Sequence, residues 1–321
     1  MAGSNNDPGP PGRINRMGRK IKIILNPNAD MNNAWRAARD LRPLINEYGG
    51  AEWSGTVYPT HATALAKQAA EQGYDMVIAM GGDGTVHEVL NGLMQVSQDK
   101  RPALGVVPVG SGNDFAHAIG VPLDTHDALE HALKGEASPM DVGMMVDDQG
   151  RRIYFDNTLG IGFDAVVTIR SHKLPVLRGF LMYLTAVVQT IILNHDAALM
   201  RMEIDGSLTK QHNLMLALCN GPREGGGFLV APEARLNDGL LHYAMIARCS
   251  RLTMFRILPE VMKGTHGRFK EVTMGACKKL SMTSDRPLYI HADGEVYADF
   301  GSDLRQLSVE VLPAALRVVQ G

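Results

Sequence analysis

Two glycine-rich segments carry the clearest chemistry in this sequence. Gly81-Gly82-Asp83-Gly84-Thr85 follows directly on the apolar run 76–80 and leads into a helical stretch that begins near Val86. Glycines at a strand-to-helix turn let backbone N–H groups close on an anion, and the helix behind them adds the positive end of its dipole. Such a turn is a phosphate cradle. It is not a Walker A sequence, because no Gly-Lys-Ser/Thr follows. The second segment, Pro108-Val109-Gly110-Ser111-Gly112-Asn113-Asp114-Phe115-Ala116, follows the apolar run 104–107, and Phe115 in the place of a third glycine takes it out of the GxGxxG pattern. Taken singly, either segment is explained as a tight turn. Two such strand ends side by side present polar loops to one ligand.

Positioning them requires a largely parallel sheet. From Lys20 to Lys134, short apolar runs (21–25, 53–58, 76–80, 104–107) alternate with helical stretches (34–48, 62–72, 86–94), the pattern of a doubly wound α/β unit with helices on both faces. Ligands in such sheets bind at the carboxyl ends of the strands. After Ser138-Pro139 the pattern changes. Runs 140–146, 153–159, 199–204, 212–219 and 240–247 read as strands parted by turn residues such as Asp147-Asp148 and Asp205-Gly206, which predicts an antiparallel, β-rich half. A helix over 252–262 and the apolar run 179–193 interrupt it. The end of the chain, 307–312 and 315–319, can pack on either half.

Composition narrows the field. With 321 residues, 45% apolar content and 21% charged content, the chain has the material for two globular domains and a cleft between them. A net charge of −2 offers no general attraction to nucleic acid, although Arg13, Arg16, Arg19, Lys20 and Lys22 make the beginning locally basic. Cys219, Cys249 and Cys277 form no CxxC pair and read as reduced structural thiols. Residues 1–18, rich in Gly, Pro and Asn, read as a disordered leader without the apolar core of a signal peptide, which places the protein in the cytoplasm. The run 179–193 falls short of the roughly 20 residues a spanning helix needs. It reads as a buried helix or one that lines a lipid cleft.

The ordered set of motifs resembles the diacylglycerol kinase catalytic domain family. The resemblance runs through Asn26-Pro27, GGDGT with Glu88 and Asn91-Gly92 behind it, 108–116, Gly160-Ile161-Gly162-Phe163-Asp164, the stretch Asn220-Gly221 to Gly227, Ala231-Pro232, Asn237-Asp238-Gly239-Leu240 and His291-Ala292-Asp293-Gly294-Glu295. It covers nearly the whole chain from Lys20 onward and looks most like the small soluble bacterial lipid kinases. GGDGT alone is shared with NAD kinases and phosphofructokinase-like enzymes; the ordered set is far more specific.

The resemblance implies a two-domain fold with the active site in the cleft. Its expected division is a leader over 1–19, a nucleotide-binding α/β domain over 20–136, a β-rich lipid- and metal-binding domain over 137–305, and a C-terminal segment over 306–321. It also implies ATP as phosphoryl donor and magnesium. Nucleotide contacts carry over to Asn26, Thr60, Gly81, Gly82, Asp83, Gly84, Thr85, Val86, His87, Glu88 and Ser111, with Asp83 also linking to metal through water. A magnesium ion is implied on the Asp238 carboxylate and the carbonyls of Arg235 and Leu240, an oxygen set that suits a hard cation. His87 and Ser111 replace the family's common Asn and Thr and keep its hydrogen-bonding capacity.

Phosphoryl transfer to an alcohol needs positioning, charge neutralisation and a carboxylate in reach of the hydroxyl proton. The resemblance assigns that carboxylate to Asp293-Gly294-Glu295. Two residues apart, the two acids share a face if they lie on one strand, whereas Gly294 also allows a turn. The choice between them stays open; Glu295 is favoured, with Asp293 orienting it or the metal. His61, His117 and His291 match no metal spacing and read as rim or core residues. The expected function is an ATP-dependent lipid kinase acting on diacylglycerol or a related lipid, with transient membrane contact and a homodimer left open. The alternatives are a kinase of a soluble substrate such as NAD, and a non-catalytic nucleotide- or lipid-binding regulator.

Overall fold

The computed structural model describes residues 18–29, 34–174 and 179–321; the expected leader over 1–19 lies almost wholly outside these, as do four residues just before the apolar run 179–193. In chain order the first half contains β1 (Ile21–Leu25), α1 (Ala34–Glu47), β2 (Glu52–Gly55), α2 (His61–Glu71), β3 (Met76–Gly81), α3 (Asp83–Leu93), β4 (Ala103–Pro108), α4 (Asp114–Ala118) and α5 (Thr125–Lys134). The second half contains β5 (Ala137–Asp147), β6 (Arg152–Phe155), β7 (Thr158–Gly162), α6 (Phe163–Ser171), α7 (Gly179–Leu193), β8 (Ala198–Ile204), β9 (Ser207–Cys219), β10 (Leu241–Ala247), α8 (Arg251–Met262), β11 (Val272–Cys277), β12 (Lys279–Ser284), β13 (Ile290–Ala292), β14 (Glu295–Ala298) and β15 (Gln306–Val319).

The first half is a parallel sheet in the order β4-β3-β1-β2. Strands β1 and β3 are buried at every position, as expected of strands covered on both faces. Helix α1 seats Ala34, Ala38, Leu41, Leu44 and Ile45 against one face, and α2 and α3 cover the other. The last two cross closely because Gly92 has no side chain: a Cβ there would lie 2.3 Å from the Thr63 carbonyl oxygen.

The second half is antiparallel. Strand β9 pairs with β8 along its first part and with β7 and β10 along its second. The chain's end does not form two separate pieces. Strand β15 is one long strand with an irregularity between Leu312 and Leu316; it pairs with β5 and β12 and reaches β4 through Val318 opposite Leu104. The sheet is thus continuous from β14 to β2, and Met140, Val142, Leu316 and Val318 share a core with α2 and α3.

Three further expected elements differ. Helix α3 begins at Asp83, not near Val86, so most of GGDGT is helix and Gly82 is its cap; the amides of Thr85 and Val86 bond to Gly82 O at 2.9 and 3.2 Å and extend the helix backwards. The run 153–159 is two strands, because Asp156 and Asn157 turn the chain away from β5 before β7 joins β9. Strand β2 stops at Gly55, short of Tyr58.

Helix α7 spans 15 residues, roughly 22 Å at 1.5 Å per residue, and buries Ala186, Val187, Thr190 and Ile191. No helix among the described residues is long and apolar enough to cross a membrane. All three cysteines are free thiols, Cys219 and Cys277 buried.

Candidate active site

The carboxyl ends of β1, β3 and β4 open into a cleft of about 780 Å³ that continues along β7, α6, α7 and the β13–β14 turn. Its floor is the start of α3. Gly81 closes β3 and must stay bare, since a Cβ would sit 2.2 Å from Thr85 Oγ1. Asn26, at the end of β1, donates from Nδ2 to that Thr85 oxygen at 3.3 Å and takes the Asn28 amide on Oδ1 at 3.0 Å, so the first loop braces the phosphate turn. An α-helix leaves its first amides without helical partners and carries the positive end of its dipole there, so the start of α3 at Asp83 suits an anion.

Asp83 joins the two glycine-rich loops. Its Oδ1 accepts the Phe115 amide at 3.1 Å, at the head of α4. Burial, aided by the nearby charges of Asp114 and Asp293, lifts its carboxyl to about 6 against the pull of two backbone hydrogen bonds. Asp114 accepts Arg223 Nε at 2.8 Å and the Gly226 amide at 2.9 Å, tying this loop to the second half. Asp156, 1% exposed, is pushed well above the usual carboxylate range by burial and by the charges of Asp293 and Asp83. Its Oδ2 is buried without a partner. Two buried carboxylates, Asp83 and Asp156, that both resist ionising mark a place where a cation would be welcome.

The Asp293-Gly294-Glu295 acids do not share a strand face. Asp293 and Gly294 both have positive φ, 51° and 82°, and make the turn of the β13–β14 hairpin. Asp293 folds inward: its carboxylate accepts the amides of Asp156, Asn157 and Thr158 at 3.1, 2.9 and 3.0 Å and lies 2.7 Å from His87 Nδ1. Glu295 starts β14 and reaches the other way, to α3. A Cβ on Gly84 would stand 2.4 Å from Glu295 Oε1.

Of the residues singled out from sequence, Asn26, Gly82, Asp83, Gly84, Thr85, Glu88, Ser111, Asp293 and Glu295 line this one cleft. Val86 and His87 turn into the core. The Glu88 carboxylate accepts the Thr60 and Ala62 amides at 2.8 and 3.0 Å, so it caps α2 and holds Thr60 in its left-handed conformation. Arg235, Asp238 and Leu240 lie outside the cleft lining. Asp238 accepts the Leu240 amide at 3.0 Å and pairs with His242 at 3.0 Å, in a turn fastened by Asp141 to the Gly239 amide at 2.6 Å.

Sequence reasoning passed over Asp114, Asp156 and Glu224. Asp114 stood inside a quoted loop, and the polar pair Asp156-Asn157 breaking an apolar run was a readable signal. Glu224 had none, because its neighbours come from distant segments. His291 is wholly buried, as a core histidine, with Nε2 3.2 Å from Asp164 Oδ2 and 3.4 Å from Glu224 Oε1.

Both halves of the chain are similar to known proteins. Residues 20–145 match the diacylglycerol kinase catalytic domain, and residues 157–320 match the YegS C-terminal NAD kinase beta sandwich-like domain. The chain is 30% identical to the diacylglycerol kinase of Bacillus subtilis over 86% of its own length and 90% of that protein's. It is 34% identical to a Chromohalobacter salexigens protein described as "Probable lipid kinase YegS-like", over 72% and 73% of the two chains. Two Bacillus anthracis str. Sterne crystal structures share the fold: one superposes with a TM-score of 0.78 at 22% identity over 94% of this chain and 95% of its own. The other, described as a diacylglycerol kinase, gives 0.71 at 20% over 94% and 97%. Sequence, fold and the joined glycine-rich loops together show that this chain belongs to the kinase family of the diacylglycerol kinase catalytic domain.

Proposed function

We propose that this protein transfers the γ-phosphoryl group of ATP to a hydroxyl of diacylglycerol or a related lipid. The observation that carries the reading is the Glu295 carboxylate lying against Gly84, on the first turn of the helix that receives phosphate. In the transfer a bond forms between the lipid oxygen and the γ-phosphorus, the bond to the β,γ-bridging oxygen breaks, and ADP departs. Glu295 takes the hydroxyl proton as the oxygen attacks. The amides at the start of α3 hold the phosphates and spread the developing charge.

Magnesium fits the donor set of Asp83 and the unpartnered Asp156 oxygen, and bound there it would neutralise phosphate charge. Asp114, locked to Arg223 and Gly226, fixes the wall beside them. The segment with Arg235, Asp238 and Leu240 is outside the cleft, so we read an ion held there as a brace of its turn, away from the phosphates.

A lipid acceptor is supported by α7. Gly179, Met182 and Tyr183 line the cleft, while Leu181, Ile192 and Leu193 on the same helix are exposed. Leu252, Phe255 and Met262 of α8 add to this apolar surface, and Arg251 Nε bonds back to the Ile191 carbonyl at 3.1 Å. Such a surface suits brief contact with the membrane where the substrate resides, by a protein of the cytoplasm.

Radiolabelled ATP presented with diacylglycerol, ceramide, sphingosine, phosphatidylglycerol and NAD tests the reading. Label in a lipid supports it. Label in NAD alone, or in nothing, overturns it.

A further inference from the structure

Beyond the phosphate end, the cleft contains a buried polar cluster that phosphoryl transfer does not use. His291 Nε2 lies between Asp164 and Glu224, and the Tyr183 hydroxyl bonds Glu224 Oε1 and stands 3.3 Å from Asp164 Oδ1. Gly160 leaves the room for it; a Cβ there would come within 2.1 Å of the imidazole. The Gly294 amide donates to His291 Nδ1 at 3.3 Å, so Nε2 is the nitrogen that bears the proton. That tautomer gives its N–H to the carboxylates and keeps no lone pair at Nε2 for a metal ion.

The donors of Tyr183, His291 and Gly226 are then spent. The Tyr183 hydroxyl and the His291 N–H go to Glu224 Oε1 and Asp164, and the Gly226 amide goes to Asp114. Glu224 Oε2 is left buried without a partner in a residue 6% exposed that lines the cleft beside Tyr183 and α7. A buried carboxylate oxygen with no donor is costly, so the position is suited to a donor that arrives with the ligand.

We propose that Glu224 selects acceptor lipids whose head group carries a second hydrogen-bond donor, a neighbouring hydroxyl or an ammonium, beside the hydroxyl that is phosphorylated. This rests on the lipid-kinase reading of the cleft. A diacylglycerol head has one hydroxyl, which goes to the phosphate, and ester carbonyls that only accept and would meet the carboxylate as acceptor against acceptor. A vicinal diol or an amino alcohol supplies the missing donor. Tyr183 and His291 are positioning residues that hold Oε1 and leave Oε2 for the lipid. His291 shares its hairpin with Glu295, so the selecting and proton-accepting carboxylates are set by one turn.

The test measures kcat/KM with ATP for diacylglycerol, monoacylglycerol and phosphatidylglycerol as diols, and sphingosine as an amino alcohol, all in mixed micelles. Wild type is expected to favour a diol or the amino alcohol over diacylglycerol. Glu224→Gln is expected to reduce that ratio by about tenfold or more, the scale of one charge-assisted hydrogen bond, with a larger loss if ammonium is the group recognised. Tyr183→Phe, which keeps the ring, is expected to reduce it less, mainly through KM, and serves should the first variant fail to fold. Preference for diacylglycerol in wild type, or a ratio unchanged in both variants, overturns the proposal and leaves the lipid kinase standing. Transfer to no lipid at all overturns both.

Discussion

His87 Nδ1 and Asp293 Oδ2 meet at 2.7 Å with both side chains buried, 206 residues apart in sequence. One sits on the first turns of α3 and the other in the β13–β14 turn. The same Asp293 carboxylate gathers the three amides of residues 156–158. It is the fastening between the phosphate helix and the hairpin that carries Glu295.

Removing that acceptor strands four donors. Asp293→Ala is expected to destabilise the protein by about 3–5 kcal/mol, and Asp293→Asn, which keeps one carbonyl oxygen, by about 1–3 kcal/mol. Thermal melts rank the two. A loss of activity without a fall in Tm would instead assign Asp293 to the chemistry.

Glu295 and Gly84 form a second pair. Glu295→Gln is expected to lower kcat by roughly 10²–10⁴ with nucleotide affinity retained. Gly84→Ala directs a methyl at the movable end of the Glu295 side chain, so it should fold normally and lose about tenfold to a hundredfold in kcat. Steady-state kinetics beside a nucleotide-binding titration check both; a Gly84→Ala enzyme with unchanged kcat would show that Glu295 acts from another position.

Asp83 predicts an unusual pH response. Its folded-state carboxyl titrates at about 6, above the value in an unfolded chain, and Asp156 moves the same way. Between these values the native state retains protons that the unfolded state has released, so this contribution to stability falls as pH rises through the window and the cost is complete above it. With chelator present, Asp83→Asn is expected to raise stability at about pH 8 by roughly 1–3 kcal/mol, with the gain shrinking below about pH 5, while activity is lost. Melts of both proteins across that range decide it. A variant less stable than wild type at about pH 8 contradicts the assignment.

The exposed apolar side chains of α7 give the last expectation. Leu181→Gln with Leu193→Gln should weaken sedimentation with lipid vesicles severalfold and raise KM for vesicle-borne lipid, with little effect on Tm because both residues are already solvent-exposed. Equal sedimentation of variant and wild type would move the membrane contact elsewhere.

The sequence alone determined what depends on neighbours along the chain. An apolar run ending in Gly81-Gly82-Asp83-Gly84-Thr85 makes a strand, a turn and a helix wherever it is placed, and Asp293-Gly294 makes a hairpin turn by its tolerance of positive φ. The parallel first half and the antiparallel second half were legible on those grounds, and the kinase family in the resemblance carried by the ordered set of motifs. Tertiary structure decided where side chains go when their partners are far away. Which acid of the 293–295 motif is free was settled by the 156–158 amides and His87, which converge on Asp293 and leave Glu295 to Gly84. The site position of Asp156 and the unpartnered oxygen of Glu224 depend on β7 lying between β9 and β13. Periodicity records which face a residue takes on its own strand; it does not record what the fold brings opposite that face.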